Sequence, residues 1–166
     1  MFILGIDPGI ERCGWGVLSE TKSVVTPVDY GCIFTSKEDS DAKRLLNLYN
    51  EIIDLIKKFK PEGIAVEEIF FNNNAKTVII VGEARGVIML AAEINKIPVF
   101  SYSPLKIKMA ITGYGRADKE QVQYMVKNVL HLKSVPKPDD TADALAVALT
   151  HCFTYKLNKL ISRSKK

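Results

Sequence analysis

Residues 2–9 read Phe-Ile-Leu-Gly-Ile-Asp-Pro-Gly and set the centre of the fold. Their apolar run predicts a strand buried on both faces, because strands inside a parallel sheet carry near-continuous apolar residues. Asp7 closes the run, and Pro8 and Gly9 predict the tight turn that follows. The sequence therefore predicts a central strand that ends in a carboxylate.

After this first strand, short apolar runs predict four more strands, and apolar residues at helical spacing predict helices. In chain order these are strand Cys13–Leu18, strand Ser23–Thr35 with a break near Pro27, helix Ser40–Lys60, strand Ile64–Glu67, helix Ala75–Asn95, strand Ile97–Tyr102, helix Asp118–Leu132 and helix Asp140–Tyr155. The first three strands predict an antiparallel meander, and right-handed crossovers make strands one, four and five parallel neighbours. The expected fold class is α/β, a mixed five-stranded sheet with helices on both faces.

Length and composition predict one globular domain over residues 1–155, since the chain has 166 residues, of which 47 % are apolar and 25 % charged. Residues 156–166 hold five basic and no acidic residues, so we expect a loosely ordered basic tail there. Three widely spaced cysteines without a Cys-x-x-Cys pair disfavour a disulfide framework or a thiolate zinc site. Acidic residues near the start disfavour a signal peptide, and the longest apolar stretch is too short to span a bilayer. We expect a cytoplasmic protein without membrane contact.

Charge is divided unevenly along the chain. Residues 1–100 carry 11 basic and 14 acidic side chains, whereas residues 101–166 carry 12 basic and 5 acidic ones. The net charges of the two parts are −3 and +7. Such a division suits a protein that holds a negatively charged polymer with one part and keeps carboxylates in the other. A solubilising surface with a basic tail explains the same numbers.

Four carboxylates are candidates for one site. Asp7 and Glu67 end two strands predicted to be parallel, and functional residues gather at such strand ends. Asp140 and Asp143 lie three residues apart at a helix start, which turns both toward one face, and small alanines beside Asp143 leave room for something bulky. A hard divalent cation such as Mg²⁺ relieves the repulsion among such acids. Four of them suit two ions about 4 Å apart, the arrangement used for phosphodiester cleavage.

Each of these acids also has a structural explanation. Asp7 can cap the turn that follows it, and acids in a first helical turn interact favourably with the helix dipole. Two positions are ambiguous by one residue, because Glu68 follows Glu67 and Asp139 precedes Asp140. Only one of two consecutive strand residues can face Asp7. The position of Asp139 fits the N-cap of the last helix.

Four segments in chain order match one known family. They are Leu4–Gly9 followed by Gly14–Val17, then Ala65–Phe70, Gly82–Gly86 and Asp140–Ala146. Together they resemble the RuvC family of Holliday-junction resolvases, over about residues 2–153. Sugar kinases and actin-like ATPases share the opening motif, but four ordered matches in a chain of this length are specific.

The resemblance implies a ribonuclease-H-like fold and a structure-selective endonuclease. A homodimer would introduce paired nicks in like strands of four-way DNA junctions during recombination and repair, with a branch-migration helicase complex as a further partner. The reaction would be a hydrolysis that uses two Mg²⁺ ions per site, with Mn²⁺ as a substitute. By motif, Asp7, Glu67, Asp140 and Asp143 resemble the four metal-binding acids, of which at most one accepts a proton.

The resemblance also implies three DNA contacts. Lys119 resembles the family's basic residue near the cleaved phosphate, and Lys108 is similar to a second one. Both lie in the basic part of the chain, where phosphate contacts are expected, although each also suits a solvated surface. Phe70 resembles an aromatic that stacks on a base near the exchange point. Phe71 could fill the same role, and either could be a core residue.

Three alternatives stay open. An ATP-binding protein of the sugar-kinase and actin-like group shares the opening motif, but that group needs a second such domain and a second phosphate motif. A junction-binding protein without catalysis would lack one of the four acids, and none is missing.

Gly82 and Gly86 lie four residues apart on one side of an apolar helix. That helix must be covered there, either by its copy in a second subunit or by another helix of a monomer.

Overall fold

The predicted central strand is paired on both edges. The computed structural model describes the backbone of residues 1–22, 24–69 and 75–164, and the side chains of these residues outside 75–77 and 156–164. Its strands are β1 (Phe2–Asp7), β2 (Arg12–Thr21), β3 (Val24–Phe34), β4 (Gly63–Glu67) and β5 (Val99–Tyr102). They form one sheet in the order β3-β2-β1-β4-β5. β1 is antiparallel to β2 and parallel to β4, which is parallel to β5. The predicted mixed sheet is confirmed.

Strand β3 is irregular where the sequence predicts a break. Its pairing with β2 shifts register between Val17 and Leu18, whose partners are Asp29 and Pro27. Proline has no backbone N–H to donate, so it is tolerated at an edge strand or a bulge and disfavoured in a central strand. The break therefore marks β3 as the outer strand of the meander.

In the part of the chain that the structure describes, five helices follow the meander. They are α1 (Asp41–Phe59), α2 (Ala75–Ile94), α3 (Pro104–Thr112), α4 (Lys119–Val129) and α5 (Asp139–Ser164). The Ser40 side chain caps the start of α1. Asp118 and Gln121 form the capping box that the sequence predicts at the start of α4.

Apolar side chains on the two faces of the sheet form separate cores. Leu4 and Ile6 of β1 pack with residues of α1 and α2 on one face. Ile3 of the same strand packs with residues of α3, α4 and α5 on the other. Because successive strand residues point to opposite faces, a fully apolar β1 is needed to serve both cores. Helices on both faces are therefore confirmed.

Helix α5 lies directly on β1 and β2 because glycines face it. A Cβ atom on Gly14 would overlap the carbonyl oxygen of Asp140, and one on Gly5 would overlap that of Ala144. Any larger residue there would force the helix backbone away from the sheet. The close approach brings the first turns of α5 to the end of β1, where Asp7 lies.

Helix α5 is longer than the sequence predicts. It begins at Asp139, and its backbone is helical through Ser164, where we expected a loosely ordered tail. The division of the chain at residue 155 stays a prediction. Within the described ranges, no helix combines the length and the apolar character needed to cross a membrane.

Candidate active site

The carboxyl groups of Asp7 and Glu67 lie side by side. They end β1 and β4, which are parallel neighbours and therefore finish at the same edge of the sheet. The two carboxyl groups are close enough for each to shift the pKa of the other. Glu68 is exposed, and its backbone N–H donates to the carbonyl of Tyr102 at 2.9 Å. Strand alternation thus places Glu67, and not Glu68, beside Asp7.

Helix α5 adds two carboxylates to this edge. Asp140 lies in its first turn and Asp143 one turn later, and both residues are partly buried. Both are close enough to Asp7 for their charges to act on its carboxyl group. The structure therefore brings together the four acids that the sequence predicts.

Burial and mutual repulsion favour the protonated form of this cluster. Burial raises the pKa of Asp7 well above its ordinary value, and the neighbouring acids raise it further, Glu67 the most. Burial also raises the pKa of Glu67 to about 7, with Asp143 adding to the shift. The pKa of Asp143 is raised chiefly by burial, against the opposing effect of Lys119. A nearby cation would stabilise the deprotonated cluster.

Two basic side chains already supply part of that positive charge. Lys119 Nζ lies 2.9 Å from Asp143 Oδ2 and 3.7 Å from Asp139 Oδ2. Arg12 Nε lies 3.4 Å from Asp140 Oδ2. That oxygen is buried and has no hydrogen-bond partner among the described residues, so its contact with Arg12 is an ion pair without a hydrogen bond.

The donor set fits a divalent cation. Carboxylate oxygens are the ligands that Mg²⁺ prefers, and the orphaned oxygen of Asp140 is a buried acceptor without a donor. In the described part of the chain, no three acidic, histidine or cysteine side chains are gathered tightly enough to enclose an ion. Lys119 and Arg12 instead each stand beside one acid of the cluster.

A cleft of about 200 Å³ opens beside Glu67 and Asp143. Lys108 of α3 and Lys119 of α4 line it together with these two acids. The remaining walls are Pro104, Ile107, Val122 and Ala146. Both lysines that the sequence singles out therefore face the acid cluster. Phe70 and Phe71, the candidates for base stacking, lie outside the described residues.

Asp139 and Arg12 are the first residues of α5 and β2, and the sequence did not predict their roles correctly. The prediction of Asp139 as an N-cap is wrong, because α5 begins at Asp139 itself. Its carboxylate contacts the ammonium groups of Lys137, at 2.7 Å, and Lys119. Arg12, which pairs with Asp140, was not predicted. The available signal was its place at the start of β2, in the hairpin that follows Asp7.

The glycine side of α2 is not covered by another helix of the described ranges. Among the described residues, a Cβ atom on Gly86 would meet nothing within 4 Å, and one on Gly82 would meet only Ile69, at 3.7 Å. The large apolar residues exposed on this helix are Ile79, Met89, Leu90 and Ile94. An internal helix as the partner of this side is therefore excluded among the described residues.

Known proteins match the chain over nearly its whole length. The profile of the family described as crossover junction endodeoxyribonuclease RuvC matches residues 3–151. A protein of that name from Caldanaerobacter subterraneus is 48 % identical over 163 residues, 98 % of this chain and 97 % of its own. Another from Caldicellulosiruptor saccharolyticus is 51 % identical over 155 residues, 93 % of each chain. Thermus thermophilus RuvC in complex with Holliday junction substrate matches with a TM-score of 0.90 and 36 % identity, covering 95 % of this chain and 96 % of that one. The chain belongs to the crossover junction endodeoxyribonuclease RuvC family.

Proposed function

We propose that this protein is a Holliday-junction resolvase, an endodeoxyribonuclease that nicks two like strands of a four-way DNA junction. Relatives named crossover junction endodeoxyribonuclease, which match more than nine-tenths of the chain, support this reaction. The observation that carries the proposal is the convergence of four acids at one sheet edge, beside a cleft lined by two lysines. The acids are Asp7, Glu67, Asp140 and Asp143.

Nucleases of this family depend on divalent metal ions. We assign Mg²⁺ to this protein, two ions per site, with Mn²⁺ as a substitute. Asp7, Glu67, Asp140 and Asp143 would hold the ions through carboxylate oxygens. When bound, the ions would supply an activated water and stabilise the departing 3′ oxygen. Asp7 and Glu67 must give up their protons before they can act as ligands, since a carboxylate binds metal in its deprotonated form.

Lys119 and Lys108 are the proposed phosphate contacts of the cleft. Burial lowers the pKa of Lys119, but its hydrogen bond to Asp143 and the surrounding acids outweigh burial and leave the pKa above its ordinary value. The ammonium group is therefore charged where the DNA backbone would lie. Phe70 is proposed to stack on a base, on the strength of the family motif.

The protein is proposed to act as a homodimer with two such sites. The uncovered side of α2, with Gly82, Gly86 and exposed apolar side chains, supports contact with a second copy of the chain. Two sites in one dimer explain how two strands are nicked in one encounter. A branch-migration helicase complex is a further proposed partner, supported by the family resemblance alone.

Asp7→Asn separates this proposal from a protein that binds junctions without cutting them. The variant is nearly isosteric with the wild type but replaces one carboxylate oxygen of a proposed metal ligand with an amide nitrogen. We expect loss of junction cleavage in Mg²⁺ and retention of junction binding in gel-shift assays. Cleavage at the wild-type rate would contradict the role of the acid cluster. Heat released on titration with ATP would favour the nucleotide-binding alternative.

A further inference from the structure

A second cleft, of about 360 Å³, adjoins the acid cluster at Asp140. Among the described residues, it shares no lining residue with the first cleft, which adjoins the cluster at Glu67 and Asp143. The loop after β1, the segment before α1, the first turn of α1 and part of α2 form its walls. The charged residues that line it are Glu11, Arg12, Lys37, Arg44 and Asp140. Three positive charges thus face two negative ones.

Arg44 is fixed at the wall of this second cleft. Its Nε donates a hydrogen bond to Thr35 Oγ1 at 2.9 Å, and its Nη1 lies 3.6 Å from Asp41 Oδ1. The side chain is only 11 % exposed. The hydroxyl of Thr35 in turn donates to the carbonyl of Ile10. Arg44 therefore carries an immobile positive charge and braces the loop that follows Asp7.

Arg12 and Lys37 are the adaptable cations of the second cleft. Arg12 is half-exposed and lies beside Asp140, while Lys37 Nζ lies 2.9 Å from Glu11 Oε1. The Lys37–Glu11 pair is exposed on both sides, and such pairs are weak, so Lys37 can exchange its carboxylate for a stronger anionic partner. Arg12 makes no hydrogen bond to the buried oxygen of Asp140, and its half-exposed guanidinium group is free to donate to a phosphate. A guanidinium group presents a planar fork of donors that matches two oxygens of one phosphate.

We propose that the second cleft binds a backbone phosphate of the DNA strand whose neighbouring phosphodiester lies at the acid cluster. The inference rests on the proposed function: a strand held at the acids by Lys108 and Lys119 would enter the second cleft if it left the acid cluster on the Asp140 side. Arg12 would tie that strand to the helix that carries two of the four acids. Phosphate contacts fix the register of a strand without reading its bases. The second cleft therefore strengthens binding of the junction and fixes where the strand is cut, and it contributes no base preference.

Arg12→Ala and Lys37→Ala test the second cleft, with Lys57→Ala as the matched control. Arg12 and Lys37 are exposed, so their loss leaves the fold and the Arg44 brace intact. Lys57 is 70 % exposed and paired with Asp54, much as Lys37 is 73 % exposed and paired with Glu11. It lies about 20 Å along α1 from Arg44 at 1.5 Å per residue.

Binding to a four-way junction is measured by fluorescence anisotropy in EDTA over a range of salt concentrations. We expect Arg12→Ala and Lys37→Ala each to weaken binding about three- to fivefold. Each should also reduce the slope of log Kd against log salt by about 1, since one phosphate contact is lost. Lys57→Ala should match the wild type in both quantities.

Methylphosphonate substitution then locates the contact. Single uncharged linkages are placed at successive positions beside the cut in the strand to be cleaved. One position should weaken binding by the wild type more than it weakens binding by Arg12→Ala, which keeps only Lys37 at that phosphate. Equal losses for both proteins at every position, or a salt slope for Arg12→Ala equal to that of Lys57→Ala, would show that no phosphate occupies the second cleft. If the wild type still cuts the junction in Mg²⁺, only this inference fails. A wild type that neither binds nor cuts the junction would overturn the proposed function and this inference with it.

Discussion

Lys119 stands between two carboxylates, with its ammonium group nearer to Asp143 than to Asp139. It lines the cleft beside the acids, so it is placed to contact the phosphate that is cut. We predict that Lys119→Ala lowers the rate of junction cleavage at least about 100-fold, the usual cost of losing one group that stabilises developing charge. Junction binding should be retained and weaken only about three- to fivefold, because most phosphate contacts remain.

Lys127→Ala is the control for this substitution. Lys127 lies on the same helix, two turns further along, and its substitution by alanine removes the same charge. Single-turnover cleavage and gel-shift binding are compared for both variants and the wild type. Normal turnover of Lys119→Ala would refute its role at the cleft.

The partly buried carboxyl group of Glu67 gives the metal-free protein a distinct pH dependence. The pKa of Glu67 is about 7 in the fold, against an ordinary value of 4.5 for the unfolded chain. Between these values the folded state binds more protons, so stability falls as pH rises. The contribution is fully present below about pH 4.5 and is lost as pH rises through about 7.

Glu67→Gln removes this titration, and its melting temperature relative to the wild type tests the shift. In EDTA, the difference between variant and wild type should grow in favour of the variant from about pH 5 to about pH 8. Glu68→Gln, at the exposed neighbouring position, should show a constant difference. A constant difference for Glu67→Gln as well would contradict the pKa shift.

The close packing of α5 against the sheet determines where the acids of the site lie. Gly14→Ala would push the backbone of Asp140 away from β2. We predict a loss of stability of about 1 to 3 kcal/mol, typical of overpacking. The cleavage rate should also fall at temperatures where the variant is fully folded, because the helix that is displaced carries Asp140 and Asp143.

Gly63→Ala is the matched control for this effect. A Cβ atom there would meet the Phe100 ring at 3.0 Å, at the far end of β4 from Glu67. Thermal unfolding and cleavage rate are measured for both variants at a temperature where both are folded. Gly63→Ala should lose stability and keep its cleavage rate. A wild-type cleavage rate for Gly14→Ala would show that the close packing of α5 does not position the acids.

Local signals predicted most elements closely. Helix α1 runs from Asp41 to Phe59, within one residue at each end of the prediction, because Ser40 caps its start and Pro61 follows its end. Such signals were missing at the end of α5. Residues 156–164 contain no glycine or proline, and a bias toward basic residues does not stop a helix.

The four acids could be predicted because each carries a local signal. Asp7 and Glu67 each close an apolar strand, and parallel pairing brings such strand ends together. The second cleft had no comparable signal. Arg12, Lys37 and Arg44 come from separate elements, and nothing in the sequence shows that these elements meet. Nor does a glycine such as Gly14 reveal which backbone approaches it.

At the scale of the whole molecule, the uncovered side of α2 predicts a dimer. Ile79→Lys would place a charge on this surface, where burial in an interface is costly. Val24→Lys on the edge strand β3 is the control, since Ile79 and Val24 are both 62 % exposed. Light scattering at tens of micromolar, a range of ordinary affinities, should give a dimer for the wild type and Val24→Lys and a monomer for Ile79→Lys. A monomeric wild type would contradict this interface.

A cleavage assay tests directly whether the four acids form a junction-cutting site. Purified protein is incubated with a mobile four-way junction and with matching linear duplex, in Mg²⁺ and in Ca²⁺, beside Asp7→Asn. We expect paired nicks in like strands of the junction alone, in Mg²⁺ alone, and none with the variant. Equal cutting of junction and duplex, or undiminished cutting by Asp7→Asn, would contradict this expectation.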